Sequence, residues 1–273
     1  MIEALPHYAG LKNCLREAED RTRRATWIPL DPKDVIQLGS TDVSTRLVIS
    51  IHGIRTRGAW QKELNSDLQR DGFRHEILDY GSFGALQLLR PALRARKVEW
   101  FRGEYEKILR ETKIIPSVIA HSFGTYIVAS AMEKYPEIRF DRIVLCGSIV
   151  RRDYDWDSLM KGSRVNAVLN EYGGRDLWAK VAEWCMADAG ASGARGFHTS
   201  NPCLHERSRA RFGHSDYFYP MKYRENWIPF LSGVEPLEYP VENTPPPNWK
   251  FWTVISLVIT VVILAEYFLM KTR

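Results

Sequence analysis

Residues 119–125 read Ile-Ala-His-Ser-Phe-Gly-Thr. A short apolar run, 116–120, leads into them, and a run with helical spacing, 123–134, leads out. The first pattern predicts a buried strand, and the second a helix that stops before Pro136. Ser122 then stands in a tight turn from strand to helix. A serine in such a turn takes a strained backbone conformation, and the residues two before and two after it have to be small. Ala120 and Gly124 meet that condition. The hydroxyl would stand free at the carboxyl edge of a sheet, beside the amides and positive dipole end of a helix. The same stretch also fits an ordinary helix with a capping serine, and by itself it does not separate the two.

The surrounding chain supplies the sheet. Residues 46–51, Arg-Leu-Val-Ile-Ser-Ile, read as a buried strand ending at His52-Gly53. A helix follows over 60–71, with Trp60, Leu64 and Leu68 on one face and Gly72 as its stop. Further strands are expected at 75–78, 140–146 and 165–169. Helices are expected over 83–111, broken near Pro91, at 158–161, and over 176–186 with Leu177, Val181 and Trp184 on one face. Residues 187–212 begin with a small-residue run and carry little pattern. They read as a surface loop of the kind that sometimes covers a site. A last short helix is expected at 224–231. Alternating strands and helices predict an α/β fold with a mostly parallel sheet covered on both faces.

A serine nucleophile needs a base, and the base needs an orienting carboxylate. Asp176 lies in the loop after the strand 165–169, and His214 lies in a glycine-containing loop late in the domain. Serine, acid and base in that chain order, with the strand-turn-helix around Ser122 and the His-Gly after an early strand, resemble the α/β-hydrolase superfamily over roughly residues 40–235, within it the lipase and serine-esterase branch. The resemblance implies Ser122 as nucleophile, His214 as base and Asp176 as acid. It also implies an oxyanion hole from the amides of Phe123 and Ile54, with Gly53 or Arg55 as alternatives to Ile54. Ala120 in place of glycine and the absence of a glycine run after His52 depart from the family pattern.

Other residues compete for these roles. His121 adjoins Ser122 but points away in such a turn, so packing or a bond to a neighbouring loop suits it better. His198 and His205 are alternative bases. Glu171, Asp153, Asp155, Asp157 and Asp216 are alternative acids. Arg55 and Arg57 follow the oxyanion loop, and Arg151 and Arg152 share that sheet edge; arginines there suit a phosphate or carboxylate on a substrate. His52 either joins this substrate-binding set or holds the loop.

The chain has 273 residues, enough for one large core. A net charge of +5 with scattered basic residues and no recognition motif argues against nucleic-acid binding. Cys14, Cys146, Cys185 and Cys203 lack metal-site spacing, and free thiols in a reducing compartment are expected; neither metal nor organic cofactor is implied. Residues 1–45 read as an amphipathic lead-in rather than a secretory signal. Residues 46–234 form the hydrolase-like domain, and 235–250 a proline-rich spacer. Residues 251–270 are apolar all round apart from Glu266, and about 20 such residues match a bilayer's hydrocarbon thickness. Trp249, Trp252 and Tyr267 sit where interfacial aromatics belong. The expectation is a single-pass C-terminal anchor with the catalytic domain in the cytoplasm, acting on an ester of a lipid or other acylated substrate. The same triad also serves amidases, thioesterases and peptidases, and the fold also serves non-catalytic membrane adaptors. The oligomeric state is not legible.

Overall fold

Arg46–Ile51 (β1), Phe73–Leu78 (β2), Ser117–His121 (β3), Phe140–Cys146 (β4), Val165–Gly173 (β5) and Leu204–Arg209 (β6) form one sheet in a computed structural model of the chain. The structure describes residues 46–54 and 58–236, and six helical positions beyond them, Thr253, Ser256, Leu257, Thr260, Val261 and Leu264. The expected lead-in, Arg55 and Arg57, the spacer from residue 237 and most of the apolar run 251–270 lie outside the described residues. Among the described residues no helix is long and apolar enough to cross a membrane.

The strands are all parallel, in the order β2-β1-β3-β4-β5-β6. Parallel neighbours need crossover connections. These carry Ala59–Arg70 (α1), Ala85–Leu88 (α2), Pro91–Thr112 (α3), Phe123–Lys134 (α4), Trp156–Lys161 (α5), Leu177–Cys185 (α6) and Ser192–Arg195 (α7). Pro220–Lys222, a π-helical turn at Tyr223–Trp227, and Ile228–Leu231 follow the last strand.

Alternate strand residues point to opposite faces. Leu47, Ile49 and Ile51 of β1, with Val118 and Ala120 of β3, pack against Val98, Phe101 and Tyr105 of α3 and Ile127 of α4. Val48, Ile119 and Val144 face the other way, onto Trp60, Leu64 and Leu68 of α1 and onto Trp227 and Phe230. Both faces are therefore covered, which is why these strands read as continuous apolar runs rather than alternating ones.

Three expectations need correction. First, β5 runs four residues past 169, so Glu171 lies inside a strand and not in a loop after it. Its buried carboxylate pairs with buried Lys222 and lies 3.7 Å from Arg207, which removes it from the candidate acids. Second, the stretch 187–212 is not a surface loop. It contains α7 and β6, and Gly190, Ser192 and Gly193 are buried against the chain after β4. Gly190 N donates to Ile149 O at 2.9 Å, Gly193 N to Ser148 O at 2.7 Å, and Ser192 Oγ bonds Ser148 Oγ at 2.8 Å. Small side chains allow that backbone-to-backbone approach, so the run serves packing. Third, α6 buries Ala179 and Ala182, whereas Trp184 of the expected apolar face is 62% exposed.

The sheet order positions the site. Strand β1 pairs with β2 on one side and β3 on the other, so the order reverses between β1 and β3. Ligands of open α/β sheets bind outside the carboxyl ends of strands at such a reversal. Ile51 pairs with Ala120 there, so residues 52–54 and Ser122 emerge side by side.

Candidate active site

Ser122 has φ 53° and ψ −121°, a state that costs a non-glycine residue on the order of 1–3 kcal/mol. Neighbouring bonds hold it there. Ser122 N donates to Cys146 O at 3.2 Å, and Thr125 donates to Ser122 O through its amide at 2.9 Å and its hydroxyl at 2.6 Å. The side chain makes no capping bond to α4, so the ordinary capping serine is excluded. Gly124 is required for a different reason from the one expected. A Cβ on it would lie 2.7 Å from Ile51 O and 2.9 Å from His52 O, so the turn presses on the end of β1. A Cβ on Gly53 would lie 2.6 Å from Ser122 Cβ, which makes glycine the residue that lets the loop after β1 touch the serine.

His214 Nε2 is 2.7 Å from Ser122 Oγ, and His214 Nδ1 is 2.9 Å from both carboxylate oxygens of Asp176. The structure thus brings together the three residues expected from the sequence. Asp176 is fully buried, and its Oδ1 also accepts the Ala179 amide at 2.9 Å as the cap of α6. One carboxylate oxygen therefore serves both the imidazole and the helix start. His121 turns away from Ser122 and donates from Nε2 to His214 O at 2.8 Å, so it holds the backbone of the candidate base.

The other candidates are placed elsewhere. Asp216 accepts the Gly213 amide at 2.7 Å and closes the His214 turn locally. Asp155 caps α5, Asp157 binds Thr199 and Asn201, and Asp153 lies 3.4 Å from Arg151. His205 lies 3.2 Å from Glu235, and His198 bonds Arg152 O through its backbone. Arg152 donates to Gly196 O at 2.9 Å, and neither Arg151 nor Arg152 lines the cavity described below. His52 is likewise off that wall. Its Nδ1 is 2.7 Å from Gly53 O, its Nε2 is 3.0 Å from Asp79, and its ring stacks on Tyr80, so it holds the loop. The bond to His52 holds the Asp79 carboxyl below the usual range.

The triad opens on a cavity of about 390 Å³ that sequence reasoning did not foresee. Ile54, Leu86, Leu88, Ile149, Val181 and Met186 form much of its wall. Among the described residues its polar lining gathers at the serine end, as His121, Ser122, His214 and Ser215. Ile54 is on the wall beside Ser122, and Phe123 opens α4. Among the described residues no three His, Cys, Asp or Glu side chains gather as a metal set.

Burial also sets a pH response. His121 is buried beside His214, which lowers its pKa to about 3, and burial lowers that of His75 to about 4. Unfolded, each imidazole takes a proton near pH 6.5, whereas the folded ones stay neutral well below that. The unfolded state then binds more protons, so stability is full above pH 6.5 and falls as pH falls toward 4. At pH 5 the two together cost roughly 4 kcal/mol. Urea unfolding at pH 7.5 and pH 5 measures the loss, and replacing both by glutamine makes the pH dependence shallower.

A serine in a tight turn after a parallel strand, at the point where strand order reverses, with acid and histidine following in later loops, defines an architecture. The fold is the α/β-hydrolase fold. No protein-family model matches the sequence, and no curated protein matches it. Solved α/β structures do. An uncharacterized protein from Bacillus cereus is similar over 81% of this chain and 67% of its own, at 10% identity and a TM-score of 0.51. A carboxylesterase structure from Nitrososphaera gargenis covers 71% of this chain and 92% of its own, at 12% identity and 0.47. A monoacylglycerol lipase from Paleococcus ferrophilus covers 68% and 94%, at 14% and 0.45. At such identities the likeness concerns the fold alone.

Proposed function

We propose that this protein is a serine hydrolase that cleaves a carboxylic ester through an acyl-enzyme. The observation that carries the reading is the hydrogen-bonded line Ser122–His214–Asp176 at the mouth of an apolar cavity. Ser122 Oγ attacks the acyl carbonyl while His214 Nε2 takes its proton. Asp176 holds Nδ1–H and stabilises the imidazolium that forms. The carbonyl oxygen becomes an oxyanion, and the amides of Phe123 and Ile54 donate to it; one such donor is worth about 3–4 kcal/mol of transition-state stabilisation. His214 then gives its proton to the leaving alcohol. Water, deprotonated by the same nitrogen, releases the acid and restores Ser122.

The apolar cavity suits an acyl chain, and the run 251–270 would hold the domain at a bilayer, so a lipid ester is the proposed substrate. A fluorophosphonate probe tests the reading on detergent-solubilised full-length protein. Wild type is expected to label, and Ser122→Ala and His214→Ala are expected to abolish labelling. A folded wild type that stays unlabelled would overturn the hydrolase reading in favour of a binding module.

A further inference from the structure

We infer that the substrate cavity is completed by the C-terminal segment. Leu257 and Val261 form part of its wall, and the ester bound there carries a long acyl chain that enters from a bilayer. This rests on Ser122 acting as the nucleophile. Leu257 and Val261 are four residues apart on a helix and therefore share a face. Both line the same cavity as Ser122 and His214. They are not core residues, since Leu257 is 65% and Val261 51% exposed.

They also have company at the opening. Leu86 on α2 and Trp178 on α6 line the cavity and are 62% and 50% exposed. Single exposed apolar residues are ordinary. Four large ones, from three separate stretches of chain and around one cavity that holds a nucleophile, mark a surface that expects an apolar partner. The sequence identifies the partner's chemistry. Leu257 and Val261 belong to the apolar run 251–270, and tryptophans at 249 and 252 suit a bilayer's interface. Hydrocarbon is the environment that matches both the rim and the run.

The cavity's size limits what it holds. At the share of roughly 30 Å³ that one water-sized group occupies, about a dozen methylenes fill it. A chain of that length occupies the cavity that Leu257 and Val261 help to line, and anything longer remains in the surrounding hydrocarbon.

The test compares p-nitrophenyl laurate with p-nitrophenyl butyrate on the full chain, with fluorophosphonate labelling in parallel. In Leu257→Trp and Val261→Trp the added bulk narrows the cavity. The laurate-to-butyrate ratio of kcat/KM is expected to fall roughly tenfold or more, because that much discrimination follows from small misfits in an apolar pocket. Fluorophosphonate labelling of the same variants reports whether Ser122 is still reactive, and Thr260→Trp, off the wall, leaves both turnovers and their ratio unchanged. Wild type is also expected to turn over laurate faster in phosphatidylcholine vesicles than in excess detergent. An unchanged ratio in both wall variants would overturn the wall, and equal rates in vesicles and detergent would overturn the bilayer route. Loss of labelling in the wild type would instead remove the hydrolase reading beneath both.

Discussion

Ester turnover falls by about 10⁴ in Asp176→Asn, while thermal stability stays close to wild type. The two halves of this expectation come from one carboxylate with two partners. Asp176 fixes His214 with Nδ1 protonated, so that Nε2 faces Ser122 as an acceptor. An asparagine in its place can donate from its amide nitrogen, which favours the wrong tautomer and leaves His214 unable to take the proton. The second partner is the Ala179 amide at the start of α6. Asparagine caps helices about as well as aspartate, so this bond survives. Asp176→Ala separates the effects. It loses catalysis to a similar extent and costs about 1 kcal/mol more in stability, because alanine cannot cap. Steady-state kinetics beside thermal unfolding of both variants distinguishes an orienting acid, for which only activity responds to Asn, from a purely structural residue, for which Asn changes neither.

The largest loss of stability is expected at the buried ion pair of β5. Lys222 and Glu171 pair with both side chains fully buried. Burial pulls the Lys222 ammonium below the ordinary lysine range, and Glu171 opposes that pull. Glu171→Gln removes the one carboxylate and leaves two cations, Lys222 and Arg207, buried where it stood. Breaking such a pair from one side costs about 3–5 kcal/mol, whereas replacing both partners by neutral groups of similar volume is often close to neutral. Urea unfolding should therefore show a large loss for Glu171→Gln and partial recovery in the double variant Glu171→Gln, Lys222→Met, which removes one of the two cations. Equal stabilities for the single and double variants would mean that the pair is not what holds this region.

The elements that the sequence revealed are those whose cause is local. Residues 47–51 and 143–146 are buried on both faces, and apolar residues dominate both. Ser122 and Asp176 follow from position relative to a strand, and His214 from a late glycine-containing loop in the chain order that the family resemblance implies. What stayed hidden depends on partners distant in sequence. Strand β6, Leu-His-Glu-Arg-Ser-Arg, has one apolar residue in six and lies at the sheet's edge, where pairing with β5 and not composition makes it a strand. The end of β5 was unreadable for the same reason, since Glu171 tolerates a core position because Lys222 arrives from fifty residues on. The small-residue run near 190 suggested a surface loop because its packing partner, the chain after β4, is not next to it in sequence. The cavity was hidden too, because its wall draws on residues from position 54 to position 261. The capping role of Asp176 was legible: an aspartate directly before a helical pattern is a cap signal.

His121 and Ser122 are consecutive, and both hold His214, one by its carbonyl and the other by its ring. The spacing between nucleophile and base is therefore gauged by a single dipeptide, not by the sum of many contacts across the domain. Thermal breathing that shifts the late loop against the sheet is resisted at the His121–His214 bond, so the proton-transfer distance should vary less than the rest of the loop moves.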